Sequence, residues 1–232
     1  MKTIGMLGGM SWSSTVEYYR IINEETAQRL GGLHSAPILL HSVDFDEIAA
    51  MQRRNDWAAA GVKLAAAARG LEHAGAELLL IGANTMHKVA EQVREAIGIP
   101  LVHVAEATAQ SILSVGLHSV ALLGTQYVME QDFLRGKLAA DGLQIMIPED
   151  EDRVEVHRMI FEELCQGKFL PESRARMSRI MTRLADRGAE GIILGCTEIS
   201  LLVTQADAEV PLFDTTRIHA ISAVEAALAG RG

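Results

Sequence analysis

Cysteine is nearly absent: only Cys165 and Cys196 occur in 232 residues. Neither has a C-x-x-C neighbour, which argues against a disulfide framework and a structural zinc site; in a reducing cytoplasm both would remain thiols. Basic clusters are lacking too. Nothing exceeds the pair Arg53-Arg54, and the net charge is -9 with a pI near 5.4. That field repels nucleic acid and anionic membrane, which leaves a small metabolite as the expected partner. No stretch approaches the ~20 apolar residues needed to span a bilayer. The opening MKTIGMLGGMSW enters a strand and a glycine turn with no apolar signal region before it, so a cytoplasmic location is expected.

Several motifs are missing as well. Gly5, Gly8 and Gly9 do not give the G-x-G-x-x-G spacing, no acidic residue follows a second strand in the usual way, and the P-loop pattern is absent, all of which disfavours a nucleotide cofactor. A Ser-His-Asp triad has no G-x-S-x-G anchor. His41, His73, His103, His118 and His219 are scattered without metal-ligand spacing and read as structural, so no metal is expected. No linker is rich in Pro or Ser and no low-complexity tract occurs.

What is present is a hydrophobic content of 49%, enough for one large core or two of roughly 100 residues each. Short β-rich runs alternate with helical stretches: strands at 3–8, 36–43, 77–82 and 101–104, then again at 120–124, 143–148 and 191–195, with a helix expected from about Thr85. This βαβ rhythm implies an α/β protein whose parallel sheets are covered by helices on both faces. Ala83 lies 75 positions after Gly8, and Cys196 lies 72 after Gly124. The near-equal separations suggest a weak internal duplication. Two similar lobes are therefore expected, 1–112 and 113–214, with a last helix at 215–230, ending in Gly, folding back on the first.

In open parallel sheets, ligands gather outside the carboxyl ends of the strands, where helix starts expose backbone N–H groups. Four loops fall there: LGGMSWSST (7–15), ANTMH (83–87), GTQYVME (124–130) and GCTEIS (195–200). Their Ser, Thr and Asn residues also serve as ordinary helix caps, and convergence from two matched lobes is what favours an anion site. Cys196 is the sharpest candidate. It follows an apolar strand and opens a helix, where N–H groups and the dipole are expected to lower a thiol's pKa and make it a nucleophile or proton acceptor. Cys165, on MIFEELCQG, reads as a packing residue. His87, one turn beyond Ala83, fits either an acid–base group or a satisfied histidine at a helix start.

Four ordered segments, IGMLGGMSWSSTVEYYRIIN, ANTMHK, ALLGTQYVMEQDF and LGCTEISLLV, resemble the aspartate/glutamate racemase family over nearly the whole chain. The resemblance implies two pseudosymmetric, Rossmann-like lobes with the active site in the cleft between them, a homodimer, and cofactor-free racemisation of a dicarboxylic amino acid. In that family two cysteines flank the substrate, one thiolate removing the Cα proton and the opposite thiol returning one. Cys196 matches the second; the first falls on Ala83, which departs from the pattern. The resemblance assigns substrate contacts to Met10 and Ser11 in the Gly9 turn, Gln52, Asn84, Thr85, Thr125 and Thr197, with His87 and Glu198 behind them. Ala83 leaves several outcomes. Turnover is one-directional from L to D, with Cys196 taking the proton and water returning it; or the chain is a single-cysteine decarboxylase of the malonate type; or it is a silent dicarboxylate binder; or Ala83 is an engineered replacement for Cys or Thr. Aspartate is not separable from glutamate at this level.

Overall fold

Residues Ile4–Gly8 read IGMLG and are buried throughout, as expected of a strand covered on both faces. In the computed structural model, which describes residues 1–229, this strand is β1. It is followed by α1 (Trp12–Leu30), β2 (Ile38–Ser42), α2 (Phe45–Arg53), α3 (Trp57–His73), β3 (Leu78–Ile81), a 3-10 turn (Thr85–Val89), α4 (Ala90–Arg94) and β4 (Leu101–Val102). All pairings are parallel, in the order β2-β1-β3-β4. Side chains alternate between two apolar layers: Leu7, Leu79 and Ile81 join one cluster with Leu64, Met86 and Val93, while Ile4, Met6, Leu78 and Leu80 join the other with Tyr18 and Ile22. Each large side chain buried there contributes about 1.5–3 kcal/mol relative to exposure.

The chain then runs through α5 (Val104–Ser114), β5 (Ser119–Leu123), α6 (Gln126–Glu130), α7 (Asp132–Ala140), β6 (Gln144–Met146), α8 (Asp150–Glu162), a 3-10 turn (Leu164–Gln166), α9 (Pro171–Asp186), β7 (Gly191–Leu194), α10 (Thr197–Leu202), a 3-10 turn (Gln205–Asp207), β8 (Leu212–Asp214) and α11 (Thr215–Leu228). The second sheet is again parallel, in the order β6-β5-β7-β8. This is the order of the first sheet, strand for strand. Two four-stranded parallel sheets with helices make the protein α/β.

Two compact units result: Met1–Val104 together with the chain from His219 on, and Ala105–Ile218. The division falls at Val104/Ala105, so α5 belongs to the second unit, whereas the sequence put the boundary at 112/113. From α11, Ala220, Ala223, Val224 and Ala227 pack with Ile4, Met6 and Leu80 of the first unit. Gly230, the expected end of that helix, lies outside the described residues. Among the described residues no helix is long and apolar enough to cross a membrane.

Two elements differ from expectation. Strand β8 has no counterpart in the sequence reading, because three residues behind Pro211 carry too little periodicity. The helix expected from Thr85 begins as a 3-10 turn: the His87 ring nitrogen Nδ1 bonds the Ala83 carbonyl at 2.9 Å, and the His87 backbone N–H turns to Asn84 O at 3.1 Å. The side chain thereby takes the carbonyl that a first α-helical bond would use.

Candidate active site

The two units carry the same strand end. In β1–β3 pairing Leu7 stands opposite Ile81, and in β5–β7 pairing Leu123 stands opposite Leu194. The next residue is glycine in both. Gly82 N–H donates to Leu7 O at 2.8 Å and Gly195 N–H to Leu123 O at 2.6 Å. A Cβ at Gly195 would lie 2.8 Å from Leu123 O, an approach of backbone that requires glycine, and one at Gly82 would lie 3.2 Å from Leu7 O, a tight contact that favours it. The residues that follow, Ala83 and Cys196, therefore occupy equivalent positions in the two units.

Cys196 is extended (φ -147°, ψ 129°) as the residue ahead of α10, and it is buried. Its Sγ–H donates to Glu198 Oε2 at 3.0 Å, and Glu198 is itself buried. Burial first, and the Glu198 carboxylate second, hold the thiol well above its ordinary range. This corrects the expectation of a helix-lowered thiolate: α10 has only six residues, and loss of water together with a neighbouring anion outweighs its weak dipole. Cys165 is half-buried in the turn before α9. Burial and the same carboxylate push its thiol up to about 12, and it packs against the core that contains Cys196.

The hydroxyl residues of the second unit are held by the fold. Thr125 caps α6, its Oγ1 accepting from Val128 N–H at 3.3 Å. The Thr197 hydroxyl accepts from Thr216 Oγ1 at 3.0 Å. In the first unit Ser11 caps α1 and bonds Ser13 Oγ at 2.8 Å. Met10 and Ala83 lie in one apolar cluster. Gln52 is buried and its Nε2 donates to the Met86 sulfur at 3.2 Å. Asn84 is buried and Thr85 half-buried at the start of the 3-10 turn, where Asn84 forms no side-chain cap bond. Gly9, with φ 87°, lets the turn before Met10 pass Val43, since a Cβ there would stand 2.2 Å from Val43 O.

His87 is buried, with Nδ1 bonded to Ala83 O and Nε2 accepting Val104 N–H at 3.3 Å. Both ring nitrogens are thus engaged in holding the Ala83 turn. Of its two readings, the satisfied histidine is the one the structure supports. Burial, then the neighbouring His103 and His219 rings, keep its pKa well below the usual value. Among the described residues no group of three His, Cys, Asp or Glu side chains could hold a metal.

A family model described as Asp/Glu/Hydantoin racemase matches residues 7–223. The chain belongs to that family. A crystal structure of a Yersinia pestis protein, described as a candidate Asp/Glu racemase, is 51% identical, with 98% of this chain and 100% of that one covered and a TM-score of 0.92. An aspartate racemase homologue from Pyrococcus horikoshii is 36% identical over 98% of this chain and 99% of that one, with a TM-score of 0.85. The broad specificity amino-acid racemase RacX of Bacillus subtilis is 24% identical over 159 residues, 68% of each chain.

For a racemase-family chain, one part of this region went unread in the sequence. Asp214 ends β8 opposite Leu194 of β7, and Thr215 and Thr216 open α11. Thr215 Oγ1–H donates to Leu194 O at 2.8 Å, and Thr216 bonds Thr197, so the pair buttresses the two residues that flank Gly195 and Cys196. Burial raises the Asp214 carboxyl. The Asp-Thr-Thr run after an apolar pair was the available signal, hidden because β8 was not recognised.

Proposed function

We propose that this chain is a cofactor-independent racemase of acidic amino acids, with Cys196 as proton carrier for one face of the α-carbon and no carrier at position 83. The observation that supports it most is the matched pair of strand ends, one carrying a buried thiol beside a carboxylate and the other a methyl group. The Sγ proton passes to Glu198, leaving a thiolate. The thiolate takes the Cα proton, and the electron pair left on carbon spreads into the substrate carboxylate, held by donors that include Asn84, Thr85, Thr125 and Thr197. A thiol raised by burial is costly to ionise, but its thiolate is a correspondingly stronger base for a weakly acidic C–H. Water supplies the proton on the other face. Proton return to the starting face needs only Cys196.

Net one-directional turnover does not survive this mechanism. Two enantiomers in achiral solvent have equal free energy, so kcat/KM must be the same in both directions. The asymmetry lies in isotope exchange. In deuterated water, L-aspartate or L-glutamate should exchange its α-hydrogen faster than it inverts. The D forms, deprotonated from the water side and then protonated by Cys196, should lose theirs only as they invert. Cys196→Ala should abolish all of it. NMR on both enantiomers of both acids reads this directly, and unchanged exchange in Cys196→Ala would remove the thiol from the mechanism. The breadth of the Bacillus relative makes neutral amino acids a necessary arm of the assay. A lone thiol also fits a malonate-type decarboxylase, which carbon dioxide release from a malonate would select.

A further inference from the structure

Helix α6 begins against the strand end that carries Cys196. A Cβ built at Gly124 would stand 3.1 Å from Gly195 O, and one at Gly195 would stand 3.0 Å from Val128 Cγ1, so the first turn of α6 lies directly on the backbone leading into Cys196. Thr125 caps that turn at Val128 N–H, which leaves the first amide of the helix, Gln126 N–H, without a helical partner. The partner comes from another element: Gln126 N–H donates to Nδ1 of His157, in α8, at 3.1 Å. Two aromatic rings hold the imidazole in place, Tyr127 edge-on at 6.0 Å between centroids and Phe161 at 4.8 Å. A ring nitrogen that accepts carries no proton, so the hydrogen is on Nε2 and the ring is neutral.

We propose that His157 is a positioning residue for the substrate carboxylate, its Nδ1 fixing the start of α6 so that the Thr125 hydroxyl meets the acid bound beside Cys196. The inference rests on the proposed function for the presence of that acid. With a lone pair engaged by Val128 N–H at 3.3 Å, Thr125 Oγ1 has its O–H to donate, and the direction of that donor follows the turn that carries it. Protonation of His157 makes both ring nitrogens donors, so Nδ1–H then confronts Gln126 N–H and the turn is released. Burial holds the ring below the usual histidine value, with the charge of Glu130 on α6 opposing. Glu130 is itself bonded by Arg153 at 2.9 Å, and Arg153 also bonds Asp150 at 2.7 Å. The α9 side of α8 is closed by Arg176 on Glu155 and Arg183 on Asp152, and Cys165, in the turn that follows α8, is an uncharged thiol. The hold on α6 is therefore complete at neutral pH and is lost in acid, below about 6.5.

The test is kcat/KM for α-hydrogen exchange of L-aspartate and L-glutamate in deuterated water, from pH 7.5 to 5, in wild type, His157→Asn and His157→Leu. Asn sets Oδ1 where Nδ1 stands and takes up no proton; Leu keeps the apolar packing without an acceptor. At pH 7.5 His157→Asn should match wild type within about twofold and His157→Leu should fall about tenfold, the loss of one hydrogen bond. Toward pH 5 wild type should drop relative to His157→Asn and approach His157→Leu, because titration of the thiol and of the substrate is common to all three and cancels in the ratios. Without substrate, the Gln126 amide proton shift should follow the His157 ring titration in wild type and stay flat in His157→Asn. His157→Asn as poor as His157→Leu, His157→Leu equal to wild type, or a ratio of wild type to His157→Asn that is constant with pH overturns the proposal. If no protein exchanges either acid, the proposed function fails by itself, and calorimetric affinity for the same acids must show the same order; equal affinities, or no binding, overturn the positioning role as well. If His157→Leu misfolds, the wild-type to His157→Asn ratio still decides.

Discussion

The bond from Cys196 Sγ to Glu198 Oε2 gives the proposed chemistry both its obstacle and its route. The carboxylate raises the thiol, yet it is also the group that can receive the thiol's proton. The two effects separate in Glu198→Gln, made in a Cys165→Ser background so that one thiol reports. Alkylation by iodoacetamide as a function of pH should shift to lower pH, because the neighbouring negative charge is gone. Exchange of the L-aspartate α-hydrogen should fall by about tenfold or more, because the proton acceptor is gone. A lower titration midpoint with unchanged exchange would mean that Glu198 perturbs the thiol and takes no proton. The place of Cys196, at a strand end ahead of a helix, was legible from an apolar strand followed by Gly-Cys-Thr. The direction of its pKa was not, since that depends on how deeply the side chain is buried and on Glu198 turning back toward it, neither of which spacing along the chain determines. The cap roles of Ser11 and Thr125 were legible, because a hydroxyl just ahead of a helix has few other partners.

The strand–glycine–turn unit explains why the two halves could be matched from sequence at all. Close approach of a neighbouring carbonyl requires glycine at 195 and favours it at 82, and apolar runs before them are what strands covered on both faces require. Where the fold relies on short elements the sequence is silent. β8 is three residues long, and the turn at Thr85 is 3-10 because a histidine ring, not a backbone amide, bonds Ala83 O. The equivalence of positions 83 and 196 yields a gain-of-function prediction. Ala83→Cys adds one sulfur to a side chain at the end of β3, a small change of volume. It should raise inversion relative to α-exchange for the L acids, bringing the two rates together, as followed by NMR and optical rotation on one sample. A folded Ala83→Cys protein with an unchanged ratio would argue against the equivalence having chemical meaning.

At the scale of the whole chain, His103 and His219, which looked scattered, come together with His87 in the first unit, which the distance between them in sequence concealed. The His87 ring lies 4.7 Å from that of His103 and 5.5 Å from that of His219. Tyr18 O–H donates to His219 Nδ1 at 2.9 Å and His219 Nε2 donates to Val102 O at 2.9 Å, so α1, β4 and α11 are tied through one ring. Burial holds His219 at about 4 and His87 well below its usual value. Below about pH 6.5 the unfolded chain takes up protons at these sites and the folded chain does not. Stability therefore falls as pH drops from about 6.5 toward 4, by at most about 1.4 kcal/mol per pH unit for each histidine. Asp214, whose carboxyl is raised by burial, works in the opposite direction. Asp207, held at about 2 chiefly by Arg174, keeps its contribution through this window. Urea midpoints measured from pH 7.5 to 4.5 should decline steadily, and His219→Gln, though less stable at neutral pH for want of its two bonds, should decline less steeply. A flat wild-type profile, or equal slopes for the two proteins, would show that the cluster does not link folding to protonation.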